Sequence, residues 1–267
     1  MKSVSASNSG HVSSVHEAAV RAHHDKLAKC FSPDLDGYFP LWLEREILLR
    51  HCSLNDRVCD IGCANGSFTL RIAPHVAHVT GVDLSEKMLK EARLRADASH
   101  TANVQFRQGS AIQLPFPDAS YDVSVSYSTL YFVTEPLDAI REMTRIVKPN
   151  GRVILDIRNR YNLSTRHWDK WQREQGSGGV SAFTWSEVQR SLPSLGLEVQ
   201  EVHAFGTGDQ IQFAPLFDRL GFIQRMMHAS KPPKPDLDYK LSNLPCLFRL
   251  AQVWIIVATK ASDSLTL

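Results

Sequence analysis

Short apolar runs alternate with longer amphipathic stretches along this chain, the pattern that a doubly wound α/β sheet requires. Five runs read as strands: Arg57–Ile61, Val79–Val82, Val104–Arg107, Tyr121–Ser126 and Arg152–Ile157. Helical spacing over Ser67–Ala73, Ser85–Ala96 and Glu135–Val147 falls between them. Ser85 offers a capping hydroxyl, and Glu86 puts an acid where a helix N-terminus favours one. Thr184-Trp185-Ser186-Glu187 opens another helix, with Thr184 and Glu187 spaced for reciprocal capping. Leu197–Phe205 alternates as a sixth strand, and Val253–Thr259 reads as a seventh. The connection between these two is long for a hairpin. It holds an amphipathic helix at Phe213–His228 and the proline-rich Lys231–Pro235.

Upstream of the first strand, residues Met1–Ser14 are small and polar and read as disordered. Val15–Lys29 has helical composition, and Phe31-Ser32-Pro33-Asp34 ends it. Tyr38, Phe39 and Trp42 then lead into an amphipathic helix through Leu48 and Leu49. The expected division is a disordered 1–14, a helical segment 15–50, a core 51–205, an insertion 206–250 and a closing strand and tail 251–267.

The chemistry concentrates after the first strand. Arg57-Val58-Cys59-Asp60-Ile61-Gly62-Cys63-Ala64-Asn65-Gly66-Ser67 runs from a buried strand through a glycine turn into a helix. Glycines there let backbone approach a ligand, and the helix start offers unpaired N–H groups. The second strand ends in Gly81-Val82-Asp83, an acid placed to accept from ribose hydroxyls. A dinucleotide site would present G-x-G-x-x-G to a pyrophosphate. Asp60, Gly62 and Gly66 instead give D-x-G-x-x-x-G, whose acid would repel phosphate and suits a ligand with a cationic or amino end.

This segment resembles motif I of the class I S-adenosylmethionine-dependent methyltransferases, in their small-molecule, type 11-like branch. Val82-Asp83-Leu84-Ser85 with Met88 resembles the ribose-binding strand end of that family, and Gln108-Gly109-Ser110-Ala111 its adenine-side loop. Leu114–Asp118, Tyr121-Asp122-Val123 and Arg145–Arg152 resemble the elements that follow, in order, so the likeness spans Leu43–Ile157. The resemblance implies a seven-stranded Rossmann-like sheet whose last strand is antiparallel. It also implies an N-terminal helical lid over the cofactor, S-adenosylmethionine. Its cofactor residues would be Asp60, Gly62, Cys63, Ala64, Gly66, Asp83, Leu84, Met88, Ser110, Ala111, Ile112, Ser126 and Tyr127. Ser110 departs from the family, many of whose members carry aspartate there. A neutral hydroxyl is the weaker acceptor for an adenine amino group.

The acceptor is less legible. Tyr131 and His167 are the candidate bases, His167 because it sits in a polar, aromatic passage after the fifth strand. Tyr38, Trp42, Tyr131, Arg158 and Tyr161 are candidate substrate contacts. The aromatics of 206–250 are expected to cap an apolar pocket or to pack in a core or dimer contact. Net charge is +2, and no dense basic stripe marks a phosphate track, so nucleic acid is not expected. The five cysteines include no C-x-x-C pair, and no metal site is expected. The odd cysteine count favours a reducing compartment, and no apolar run reaches the length of a membrane span, so a cytoplasmic setting is expected. The leading expectation is methyl transfer to a small molecule. An RNA or protein methyltransferase, or a non-catalytic scaffold of the same fold, stays as an alternative.

Overall fold

The computed structural model describes residues 7–28, 39–174, 178–207 and 237–262. Its centre is a seven-stranded sheet: β1 (Arg57–Ile61), β2 (His78–Asp83), β3 (Val104–Gln108), β4 (Tyr121–Ser126), β5 (Val147–Arg158), β6 (Leu197–Phe205) and β7 (Val253–Lys260). The order is β3-β2-β1-β4-β5-β7-β6. The first five strands pair in parallel, and β7 runs antiparallel to both β5 and β6. β1 and β4 are neighbours, so strand order reverses there and a crevice opens at their carboxyl ends.

Both faces of the sheet are covered, which is why its strands read as near-continuous apolar runs. Alternate residues divide between two cores. Cys59, Leu155, Trp254 and Ile256 face one side, with Ile140 and Met143 of α5 (Pro136–Ile146) and Val188 and Leu192 of α7 (Trp185–Ser194). Val58, Val125, Ile154 and Ile255 face the other, against Ile47 and Leu48 of α2 (Phe39–Arg50) and Ile72 of α3 (Ser67–Ile72). The expected capping box is present, with Glu187 N–H donating to Thr184 Oγ1 at 3.2 Å and Thr184 N–H to Glu187 Oε2 at 2.7 Å.

Two helices differ from expectation. Helix α1 spans Ser7–Leu27, so it starts inside the stretch expected to be disordered. Extending a helix that is already nucleated costs little per residue, even through polar sequence. Helix α6 (Leu163–Glu174) occupies the passage after β5 that carried no helix assignment. Its apolar positions are few, and their spacing is diluted by Arg166, His167, Lys170 and Arg173. The amphipathic Phe213–His228 and the proline-rich stretch lie outside the described residues.

α1 is pinned to the core by polar contacts. Ser85 caps α4 (Glu86–Ala98) by accepting from Met88 N–H at 3.1 Å, and its hydroxyl donates to Asp25 of α1 at 2.6 Å. Lys87 pairs with Asp25 at 3.5 Å, and His16 Nε2 lies 2.8 Å from the Phe132 carbonyl. Ser85→Ala removes the cap and the lid contact together. Loss of the cap alone costs about 1 kcal/mol. The expected result is a lower denaturation midpoint plus faster amide exchange in residues 15–28. Unchanged exchange there would show that α1 is held independently of Ser85.

Candidate functional site

A cavity of about 620 Å³ opens at the carboxyl ends of β1, β2 and β4, beneath α1. Asp60, Gly62, Cys63, Ala64, Asp83, Leu84, Ala111, Tyr127 and Tyr131 all line it. α1 contributes Glu17, Val20, His24 and Leu27, α2 contributes Leu41 and Glu44, and α6 contributes Trp168, Trp171 and Gln172.

Asp83 ends β2 with each carboxylate oxygen already accepting one backbone N–H, Ala64 at 2.9 Å and Ser85 at 2.8 Å. Those bonds fix the carboxylate at the cavity wall while each oxygen keeps further acceptor capacity. Burial holds the Asp83 carboxyl above its usual range, opposed by the two N–H groups and by His24. Ala64 reaches its bond in a left-handed conformation, φ 47°, a strained geometry for a side-chain-bearing residue and one concentrated at functional sites. The Gly62 and Cys63 N–H groups both turn to the Val82 carbonyl, at 2.7 and 3.0 Å, and lock the loop to β2.

Asp60 is 4% exposed and accepts the Thr69 hydroxyl at 2.6 Å. Burial raises its carboxyl to about 7, Asp83 adds to the rise and the Thr69 bond opposes it. Folded protein therefore binds more protons at Asp60 than unfolded protein between about pH 4 and 7, and stability falls as pH rises through that window. At about 1.4 kcal/mol per pH unit the loss reaches up to about 4 kcal/mol. Asp60→Asn keeps an acceptor for Thr69 and removes the titration. Denaturant titration of ligand-free protein should find the variant equal to wild type near about pH 4 and more stable at about pH 8. A constant offset across the range would refute this account.

Several sequence-derived candidates sit elsewhere. Gly66 caps α3 at φ 75°, where a Cβ would lie 2.9 Å from Ala92 and Phe106, so it serves helix packing and does not line the cavity. Met88 is fully buried in the core, and Ile112 packs at its edge. The Ser126 hydroxyl is buried and donates to the Ile61 carbonyl at 3.0 Å, tying β4 to β1. Ser110 directs its hydroxyl to Glu17 of α1 rather than into the cavity. His167 is exposed and does not line the cavity. Spacing of three and four residues along α6 turns Trp168, Trp171 and Gln172 to that wall instead. Tyr161 is 63% exposed and Trp42 packs beside the α2 core, so neither lines the cavity. Arg158 lies behind the wall, its guanidinium 4.6 Å from the Tyr131 ring centre. Tyr38 lies outside the described residues.

Sequence reasoning missed Glu17, His24 and Glu44 in the cavity wall. Each belongs to an N-terminal helix whose docking no local motif announces. No group of three or more potential metal ligands occurs among the described residues, and none of their helices is long and apolar enough to cross a membrane.

Residues 59–155 match a family model described as "Methyltransferase domain". The 27-O-demethylrifamycin SV methyltransferase of Amycolatopsis mediterranei is 35% identical over 147 residues, 54% of this chain and 54% of its own length. Demethylmenaquinone methyltransferase of Listeria welshimeri is 32% identical over 115 residues, 42% of this chain and 49% of its own. The chain thus spans about half the length of these curated relatives. Among solved structures, the cyclase SpnF superposes with a TM-score of 0.62 at 19% identity, covering 94% of this chain and 95% of that one. Such a likeness shows the fold, and a cyclase on this fold illustrates that fold alone does not fix chemistry.

Proposed function

The chain belongs, over residues 59–155, to the class I S-adenosylmethionine-dependent methyltransferases, and on that premise we propose that it transfers a methyl group to a small-molecule acceptor. The observation that carries the reading is Asp83. It is fixed by two backbone N–H groups at the wall of a cavity that also holds Asp60, Gly62 and Ala64.

The donor set fits S-adenosylmethionine. Asp83 offers spare acceptor capacity to the ribose hydroxyls, and Asp60 an acidic group to the amino end. Leu84 and Ala111 supply apolar wall beside them. The bound cofactor would supply an electrophilic sulfonium methyl. The chain's own task is then to place the acceptor in line with that methyl, to exclude water and to orient the attacking atom. Val20, Leu27, Leu41, Phe132, Trp168 and Trp171 make the rest of the cavity largely apolar, which supports an apolar small molecule over a nucleic acid or peptide. The relatives named for 27-O-demethylrifamycin SV and demethylmenaquinone support a small-molecule acceptor in the same way.

Tyr131 stays a candidate for orienting the acceptor. Burial holds its hydroxyl above the ordinary tyrosine range, with Arg158 opposing, so it acts as a neutral donor and not as a phenolate base. Calorimetric titration with S-adenosylmethionine and S-adenosylhomocysteine tests the reading. Micromolar binding is expected, and no binding by folded protein would overturn it in favour of a scaffold role.

A further inference from the structure

We infer that Glu44 is the polar anchor of the acceptor pocket, selecting acceptors that present an O–H or N–H donor on an apolar scaffold and rejecting anions. The inference rests on the methyl-transfer reading of the same cavity and names the chemistry of its acceptor.

Glu44 lies on α2 between residues committed to the core. Leu43, Ile47 and Leu48 are all buried there. Glu44 lines the cavity, yet it is only 4% exposed. The Tyr127 hydroxyl donates to the Glu44 main-chain carbonyl at 3.0 Å and fixes this turn of α2 against the end of β4. Among the described residues the Glu44 carboxylate accepts no hydrogen bond. A buried carboxylate without a donor is costly, by several kcal/mol. Such a group fits a site whose ligand brings the missing donor.

The surroundings set the sign of that ligand. Asp156, 1% exposed, stands close enough to act on Glu44 and already accepts the Ser128 N–H at 2.7 Å. Ser128 holds that bond in a strained left-handed conformation, φ 54°. Arg158 is the nearby cation, and its guanidinium sits over the Tyr131 ring. At Glu44 itself one guanidinium faces two acidic groups, which favours a donor or a cation and opposes a carboxylate or phosphate at that position, while Arg21, Arg45 and Arg71 line the same cavity. Burial, then Asp156, hold the Glu44 carboxyl well above its usual range, against the pull of Arg158. It can therefore donate to a neutral hydroxyl's oxygen, accept from its O–H, or ionise against an ammonium. Elsewhere in the same cavity Leu41, Phe132, Trp168 and Trp171 offer apolar contact to the rest of the acceptor.

The test uses three probes of one shape, naphthylethylamine, naphthylethanol and naphthylacetate, titrated into full-length protein with and without S-adenosylhomocysteine. The amine and the alcohol should bind, and the acetate should bind at least about 10-fold more weakly. In Glu44→Gln the amine should weaken about 10-fold and the gap to the acetate should close, with S-adenosylhomocysteine affinity kept as proof of an intact fold. Glu44→Asp should retain the amine preference, because the charge remains. An amine-to-acetate ratio unchanged in Glu44→Gln would overturn the inference. So would failure of all three probes to bind wild-type protein. Probe binding without any S-adenosylhomocysteine binding would leave the anchor standing and sink the methyltransferase reading, so the two failures are distinguishable.

Discussion

Asp83→Ala should weaken S-adenosylhomocysteine binding by about 100-fold or more while the sheet stays folded. A bond to a charged acceptor contributes about 1.5–3 kcal/mol, and Asp83 has one further acceptor position on each oxygen for the two ribose hydroxyls. Losing both gives about 3 kcal/mol at the low end, and each 1.4 kcal/mol is tenfold in affinity. The same substitution strips the Ala64 and Ser85 N–H groups of their acceptor. The loop after β1 and the start of α4 therefore lose support, and a lower melting temperature is expected as well. Asp83→Asn separates the two effects. Its amide oxygen still accepts one of the two N–H groups, so stability should be partly restored while cofactor affinity stays well below wild type. Calorimetric titration at low temperature, beside a thermal melt, reads both. A dissociation constant within threefold of wild type for the alanine variant would remove Asp83 from the cofactor site, and with it the main support for the proposed function.

The strands were legible because each is short, apolar and bounded by polar or glycine-rich sequence. Arg57–Ile61, Tyr121–Ser126 and Leu197–Phe205 run where the pattern alone puts them. β5 is the instructive exception, since it begins at Val147, five residues before the apolar run at Arg152. The intervening Lys148-Pro149-Asn150 carries no strand pattern, and pairing of Val147 with Tyr121 across a register shift recruits it. The candidate site divides along a similar line. Asp60, Gly62, Ala64 and Asp83 were readable because one strand–turn–helix segment and one strand end bring them together locally. Glu17 and Glu44 were not, because their place in the wall depends on how α1 and α2 dock across the finished sheet. His167 illustrates the converse error. A polar, aromatic composition singled it out, but only recognition of α6 as a helix could show that Trp168, Trp171 and Gln172 take the cavity-facing positions.

Gly62→Ala should cost about 3 kcal/mol of stability, for two separable reasons. The first is backbone strain. Gly62 sits at φ 79°, and an alanine in left-handed conformation costs about 1–2 kcal/mol. The second is collision. A Cβ on Gly62 would lie 2.0 Å from Thr129 Oγ1 and 2.4 Å from its Cγ2, where no flexible chain end can swing clear. Thr129 is itself held, its hydroxyl donating to the Tyr127 carbonyl at 3.1 Å. Overpacking of this kind adds about 1–3 kcal/mol. For a chain of this size each kcal/mol lowers the melting temperature by about 2–4 °C, so a drop of roughly 6–12 °C is expected. A double-mutant cycle with Thr129→Gly apportions the loss. Removing the threonine side chain abolishes the collision but leaves the φ penalty. The cost of Gly62→Ala measured in that background should therefore fall to about 1–2 kcal/mol. An equal cost in both backgrounds would mean that strain alone requires glycine here and that Thr129 yields freely. A cost near zero in the Thr129→Gly background would mean that the turn tolerates a side chain, and that contact with Thr129 alone is what demands glycine at this point of the cavity wall.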